Sequence, residues 1–335
     1  MQAHLCKFYE VKYEAMPRNF LYLTGGLGNQ LFQFSYAIFQ AEKGEVALDT
    51  TLGNPRVSVD GEVELSQYLL PSNVSFMSRS RKGGQFYSRT AGYLLRTNLS
   101  GNLLQRTKLV RICAQVLGSL VLSVHVRRLI NARVSRDIGY DQKLNQILSP
   151  SFFIGYFQTD KWASEPQAFE VLDNLSPIRM TATALELIES ARTSKPIIVH
   201  VRLGDYVGES SFGIPSTTYY LNALNVFLRE DSKRKIWVFS DEIDKAKLHL
   251  PQQYIDQCKW INEPSLTSAE TLEVMKYGAD YVIANSTFSW WGAFLRKNRE
   301  ARVIAPSPWF KDGPSPSRII PLNWQLLDAF TRDTN

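Results

Sequence analysis

Ile197-Ile198-Val199-His200-Val201-Arg202-Leu203-Gly204-Asp205-Tyr206 opens on a short apolar run and ends on a charged turn. A run of this length, bounded by polar residues, reads as a buried strand. Outward from it the alternation continues. A helical pattern spans Thr218 to Leu228, a strand Ile236 to Phe239, a short helix Lys245 to Leu248 and a third strand Lys259 to Ile261. A helix then runs from Ser268 to Tyr277 behind a Thr267 or Ser268 cap. Tyr281 to Ala284 is a strand, Phe288 to Arg296 a helix, and Val303 to Ala305 the last strand before Pro306. Such alternation implies a parallel sheet with helices on both faces. Ligands of such sheets bind outside the carboxyl ends of the strands. Arg202 to Tyr206 therefore points into a crevice.

The first half begins the same way, with a strand at Asn19 to Leu23, a helix at Gln30 to Gln40 and a strand at Val46 to Leu48. The pattern blurs and returns at Phe152-Phe153-Ile154-Gly155-Tyr156-Phe157. At 335 residues the chain is long for one core and suits two of roughly 150 residues each. We expect two α/β units, residues 1–180 and 181–335, meeting near 170–195, where Thr183 to Arg192 reads as a linking helix.

Three scattered cysteines, Cys6, Cys113 and Cys258, support neither a disulfide framework nor a zinc site and fit a reducing, cytoplasmic setting. The first 14 residues are too charged for a signal peptide. The apolar run Leu109 to Val126 is interrupted by Arg111, Gln115 and His125, short of the ~20 apolar residues that span a bilayer. Charge is uneven. Residues 65–136 hold twelve Lys and Arg and no Asp or Glu, so this insertion carries +12 while the chain carries +6. The remainder is −6. Such asymmetry suits an anionic surface, and residues 79–136 are a candidate membrane-facing patch that would place the protein at the inner face of the plasma membrane. The RNA-binding aromatic signatures are missing, so nucleic acid is not an expected partner.

Two further segments carry chemistry beside the charged turn. Gly25-Gly26-Leu27-Gly28-Asn29-Gln30 follows a strand and opens a helix, where amides and the helix N-terminus favour an anion. A dinucleotide turn needs a small third residue where Leu31 stands. Arg202 suits bidentate phosphate contact, and Asp205 is placed to accept a proton or to orient His200. Asn285-Ser286-Thr287-Phe288-Ser289 offers helix caps, amides and hydroxyls to a phosphate. Trp290 and Trp291 behind it suit a core. No Asp-x-Asp occurs, so Arg202 and helix N-termini, not a metal or other cofactor, would neutralise a diphosphate.

These segments, with Phe153 to Gln158 and Phe239-Ser240-Asp241, resemble the bacterial α-1,2-fucosyltransferases, glycosyltransferase family 11, from about Asn19 to Trp309. Leu203 stands where the family pattern has a second arginine. The resemblance implies a GT-B architecture of two Rossmann-like domains facing across a cleft. It also implies inverting, metal-independent transfer of L-fucose from GDP-fucose to a galactose 2-hydroxyl of an oligosaccharide, possibly lipid-linked, in surface polysaccharide or O-antigen synthesis. Gly26, Gly28, Asn29, Arg202, Asp241, Asn285, Ser286, Thr287 and Ser289 would bind the donor. Asp205 is the expected base, His200 the alternative and Asp160 a weaker one, with Arg202 stabilising the leaving group. A related donor such as GDP-colitose, a Rossmann oxidoreductase and a non-enzymatic lectin are the competing readings.

Overall fold

The computed structural model describes residues 19–50, 55–58, 61–77, 132–135, 138–146, 151–206, 211–312, 316 and 318–330. The basic insertion lies outside these residues apart from its two ends. The first part runs β1 (Asn19–Tyr22), α1 (Leu27–Ala41), β2 (Val46–Asp49), β3 (Val74–Phe76), β4 (Ala132–Val134), β5 (Phe152–Ile154), α2 (Asp160–Ala163) and α3 (Pro166–Asp173). Helix α4 (Ala182–Ser194) leads into the second part. There β6 (Ile197–Val201), α5 (Thr217–Leu228), β7 (Ile236–Ser240), α6 (Ile243–Ala246) and β8 (Cys258–Ile261) come first. They are followed by α7 (Ser268–Met275), β9 (Asp280–Val282), α8 (Thr287–Phe294), β10 (Val303–Ser307) and β11 (Gln325–Asp328).

Two sheets result, ordered β3-β2-β1-β5-β4 and β11-β10-β9-β6-β7-β8. Every pairing among the described strands is parallel. Read from β8, the second sheet has the doubly wound 3-2-1-4-5-6 order. Its order reverses between β6 and β9, and that of the first sheet between β1 and β5. These two switch points are where a ligand crevice is expected.

The segment Phe152 to Phe157 is a strand only as far as Ile154; the chain then bends at Gly155, and Phe157 adopts a left-handed φ of 53°. β3, β4 and β11 were not foreseen. They are three- and four-residue strands, and β11 is mostly exposed, so none has a continuous apolar run. The expected cap of α7 is a full capping box: Thr267 accepts from the Glu270 amide and Glu270 from the Thr267 amide.

One aromatic core joins the two sheets. Phe32 on α1 lies 4.5 Å from Trp290 and 4.8 Å from Trp291 on α8, ring centre to ring centre. Tyr36 stacks on Phe157 at 4.2 Å. Nearby, Lys276 pairs with Glu273 while donating to the Leu175 carbonyl at 3.0 Å, so this buried ammonium is satisfied across the boundary.

Candidate active site

The two switch points meet tip to tip. After β1 the chain turns through Gly25, φ 74°, and starts α1. After β9 it passes Asn285 and Ser286 and starts α8. A Cβ on Gly28 would lie 2.6 Å from the Thr287 carbonyl carbon and the Phe288 amide nitrogen, so glycine alone lets the helices come this close. Thr287 donates to Asn29 Oδ1 at 3.1 Å, and Gln158, beyond β5, donates to the same oxygen at 2.9 Å. Trp291 donates its indole N–H to the Gly28 carbonyl at 2.9 Å. Both tryptophans are fully buried, as the core reading expected.

The glycine-rich turn is largely occupied by the protein itself. The Leu27 amide donates to Glu64 Oε2 at 2.6 Å, and Glu64 Oε1 accepts from Ser268 at 2.6 Å. The positive end of α1 thus faces a carboxylate of this chain, bonded to both parts of the molecule. Gln30 and Gln33 are buried pins: Gln30 donates to the Gly25 and Arg56 carbonyls, and Gln33 accepts from the Thr24 amide and donates to the Gly155 carbonyl. Gly26 borders Arg56 and Glu64. Gly28 and Asn29 therefore join the two switch points, and the donor-binding expectation centres on α8.

At the second switch point Arg202 follows β6. Its guanidinium lies 3.1 Å from Asp241 Oδ2, and Asp241 Oδ1 accepts from the Leu203 amide at 3.0 Å. The carboxylate thus helps to aim Arg202. Arg202 also packs over the Tyr206 ring at 5.7 Å. Tyr206 donates to the Asn285 carbonyl at 2.9 Å. The Asn285 amide donates to the Phe212 and Gly213 carbonyls, and Ser289 to the Ala284 and Ser286 carbonyls. Asn285 and Ser289 are wholly buried, so their side chains shape the turn. The first-turn amides of α8 are left over by the helix itself, as at any helix start. They are the groups that suit an incoming anion.

His200 is corrected. Its imidazole is buried, faces Phe288 at 6.1 Å and has no partner at Nδ1. Burial first, then Arg202, pushes its pKa down to about 3, too low for a proton acceptor at neutral pH. Below pH 6.5 the unfolded chain therefore takes up a proton that the folded chain refuses. Stability should fall as pH drops from about 6.5 towards 3, by up to about 1.4 kcal/mol per pH unit. Urea midpoints at pH 7.5 and 4.5 test this: His200→Asn should lose less stability between them than wild type. Equal losses would contradict a buried neutral imidazole. Asp205 sits in a short 3₁₀ turn, Gly204–Tyr206, and its side chain lies outside the described residues.

Two Rossmann-type sheets whose switch points face each other, with an arginine and a helix N-terminus beside them, define the GT-B class of glycosyltransferases. The family model "Glycosyl transferase family 11" matches residues 137–318, more than half of the chain, and the protein belongs to that family. An α-1,2-colitosyltransferase of Escherichia coli is 25% identical over 297 residues, covering 86% of this chain and 91% of that protein. The O-antigen biosynthesis glycosyltransferase WbnK of Escherichia coli is 30% identical over 148 residues, 41% and 45% of the two chains. Among solved structures, POFUT1 in its apo form aligns at 12% identity with a TM-score of 0.44, covering 87% of this chain and 98% of that one.

Proposed function

We propose that the protein transfers a 6-deoxy-L-sugar from its GDP conjugate, L-fucose first, to the 2-hydroxyl of a galactose residue in an oligosaccharide, with inversion. The observation that carries this reading is Arg202, held by Asp241 beside the N-terminus of α8 at the switch point of the second sheet. The acceptor oxygen attacks the anomeric carbon while the bond from that carbon to the β-phosphate oxygen breaks. The electron pair goes to the phosphate, where Arg202 and the α8 amides stabilise it. Asp205 takes the acceptor proton. Among the described residues no cluster of His, Cys, Asp and Glu is arranged to hold a metal ion. In this reading the Arg202 guanidinium and the N-terminus of α8 neutralise the diphosphate.

A second reading, GDP-colitose as donor in O-antigen synthesis, is favoured by the length of the match to the colitosyltransferase. Colitose lacks the 3-hydroxyl of fucose, and a site built to bond a hydroxyl strongly rejects an analogue without it. Competition between the two GDP-sugars in excess EDTA, with product NMR, tests donor, linkage and metal independence together. We expect full activity and an α-1,2 product. A strict need for manganese or magnesium would contradict the diphosphate model.

We also propose that residues 79–136 dock the enzyme on anionic lipid. No helix among the described residues is long and apolar enough to cross a membrane. Sedimentation with vesicles should show binding to phosphatidylglycerol-containing but not to neutral liposomes. Equal binding to both would count against an electrostatic contact.

A further inference from the structure

Three aromatic rings run outward from Arg202. Tyr206 lies 4.9 Å from Phe212, and Phe212 lies 5.5 Å from Phe310, ring centre to ring centre. All three are half-buried, unlike the wholly buried Trp290 and Trp291 of the core. They form a row over the carboxyl ends of the second sheet: Tyr206 follows β6, Phe310 follows β10, and β9 lies between those strands. This is the end at which such sheets hold their ligands.

The row is fixed to the leaving-group site. The Arg202 guanidinium sits 5.7 Å from the Tyr206 ring centre. Tyr206 donates to the Asn285 carbonyl at 2.9 Å, and the Asn285 amide donates to the Phe212 and Gly213 carbonyls at 2.9 and 3.1 Å. Asn285 directly precedes Ser286, the N-cap of α8. One buried residue therefore ties the rings to the amides that suit a phosphate. From the other side the Lys311 amide donates to the Phe212 carbonyl at 3.1 Å. Gly213, with φ 68°, permits this approach, since a Cβ there would stand 2.6 Å from Lys311 Cβ.

The chemistry selects the ligand. The two phenylalanines offer ring carbon alone, and the Tyr206 hydroxyl proton is already given to Asn285. A hydroxyl pressed against such a wall loses its bonds to water, whereas a methyl group gains by burial. The sugar of a GDP-sugar is bonded directly to the β-phosphate, while the guanine ring stands beyond the α-phosphate and the ribose. Bonds of about 1.5 Å keep C6 of the sugar within roughly 7 Å of the β-phosphorus. A phosphate on Arg202 thus brings C6 to the first rings of the row before it brings the base. L-Fucose and colitose differ at C3 and share a methyl at C6.

We propose that the wall of Tyr206, Phe212 and Phe310 receives the C6 methyl of the transferred sugar, so that Phe212 and Phe310 select 6-deoxy sugars over their 6-hydroxy counterparts. This rests on the function proposed above. An apolar pocket discriminates against an added hydroxyl by up to roughly 10²-fold.

Calorimetry on the full chain compares GDP, GDP-L-fucose and GDP-L-galactose, which is GDP-L-fucose with a hydroxyl on C6. We expect wild type to bind GDP-L-fucose at least about tenfold tighter than GDP-L-galactose. Phe212→Ala should close that gap to about threefold or less by weakening GDP-L-fucose, with Kd for GDP unchanged. Should that variant not fold, Phe310→Tyr keeps the ring, adds a hydroxyl and should close the gap by tightening GDP-L-galactose. Equal binding of both sugars by wild type, or a gap that survives in the folded variants, would overturn the proposal. So would a Kd for GDP that rises in step with that for GDP-L-fucose, which would make the rings a guanine platform. Turnover separates the two readings. If neither sugar is transferred, the function reading fails; if GDP-L-galactose is transferred as well as GDP-L-fucose, the wall alone fails.

Discussion

Arg202→Ala should reduce kcat by about 10²–10³, the usual loss when one preorganised donor to a developing charge is removed. The fold should survive, because Arg202 lies in a turn beyond β6 and the strand's core residues do not depend on it. Arg202→Lys should restore little, since an ammonium lacks the planar fork that meets both Asp241 and a phosphate. Asp241→Asn should fall between, with kcat reduced more than KM is raised. Its amide oxygen can still accept from the Leu203 amide, but the charge that aims the guanidinium is gone. Steady-state kinetics on purified, folded variants decide this. Wild-type kcat in Arg202→Ala would remove the residue from the mechanism.

Gly28→Ala should damage both stability and turnover. Alanine at a helical position gains about 1 kcal/mol over glycine by propensity. Against this, the new Cβ would stand 2.6 Å from backbone atoms of Thr287 and Phe288, which cannot swing aside as a side chain would. Overpacking costs about 1–3 kcal/mol, and the helices must part to relieve it. We expect Tm to fall by about 2–8 °C. We also expect kcat to fall by tenfold or more, because the N-terminus of α8 moves with Thr287 and small misplacements at a reacting centre cost about 10². Calorimetry and kinetics on one variant check both. Unaltered Tm and kcat would mean that the two helix starts do not touch in the working enzyme.

Much of the second sheet was legible because β6, β7 and β9 are apolar on both faces, and α7 announces its start through Thr267 and Glu270. Strands β3, β4 and β11 were not, since edge strands of three or four residues bury too little to leave a pattern. The charged turn after β6 was legible as a turn at a strand's carboxyl end, but the Asp241 partner of Arg202 was not. Asp241 lies 39 positions from Arg202, and only the parallel register of β6 with β7, Val201 opposite Ser240, brings them together. The glycine-rich turn read as an anion site because its amides were counted without Glu64, whose carboxylate arrives from 37 residues away to meet Leu27. His200 stayed an alternative base although it falls inside the run read as a buried strand, because a sequence does not show that nothing pairs with its Nδ1.

The most direct measurement is a crystal structure of the full chain with GDP. The β-phosphate should lie within hydrogen-bonding distance of the Arg202 guanidinium and of amides in the first turn of α8. Nucleotide bound elsewhere, away from the loop that bears Arg202, would contradict this.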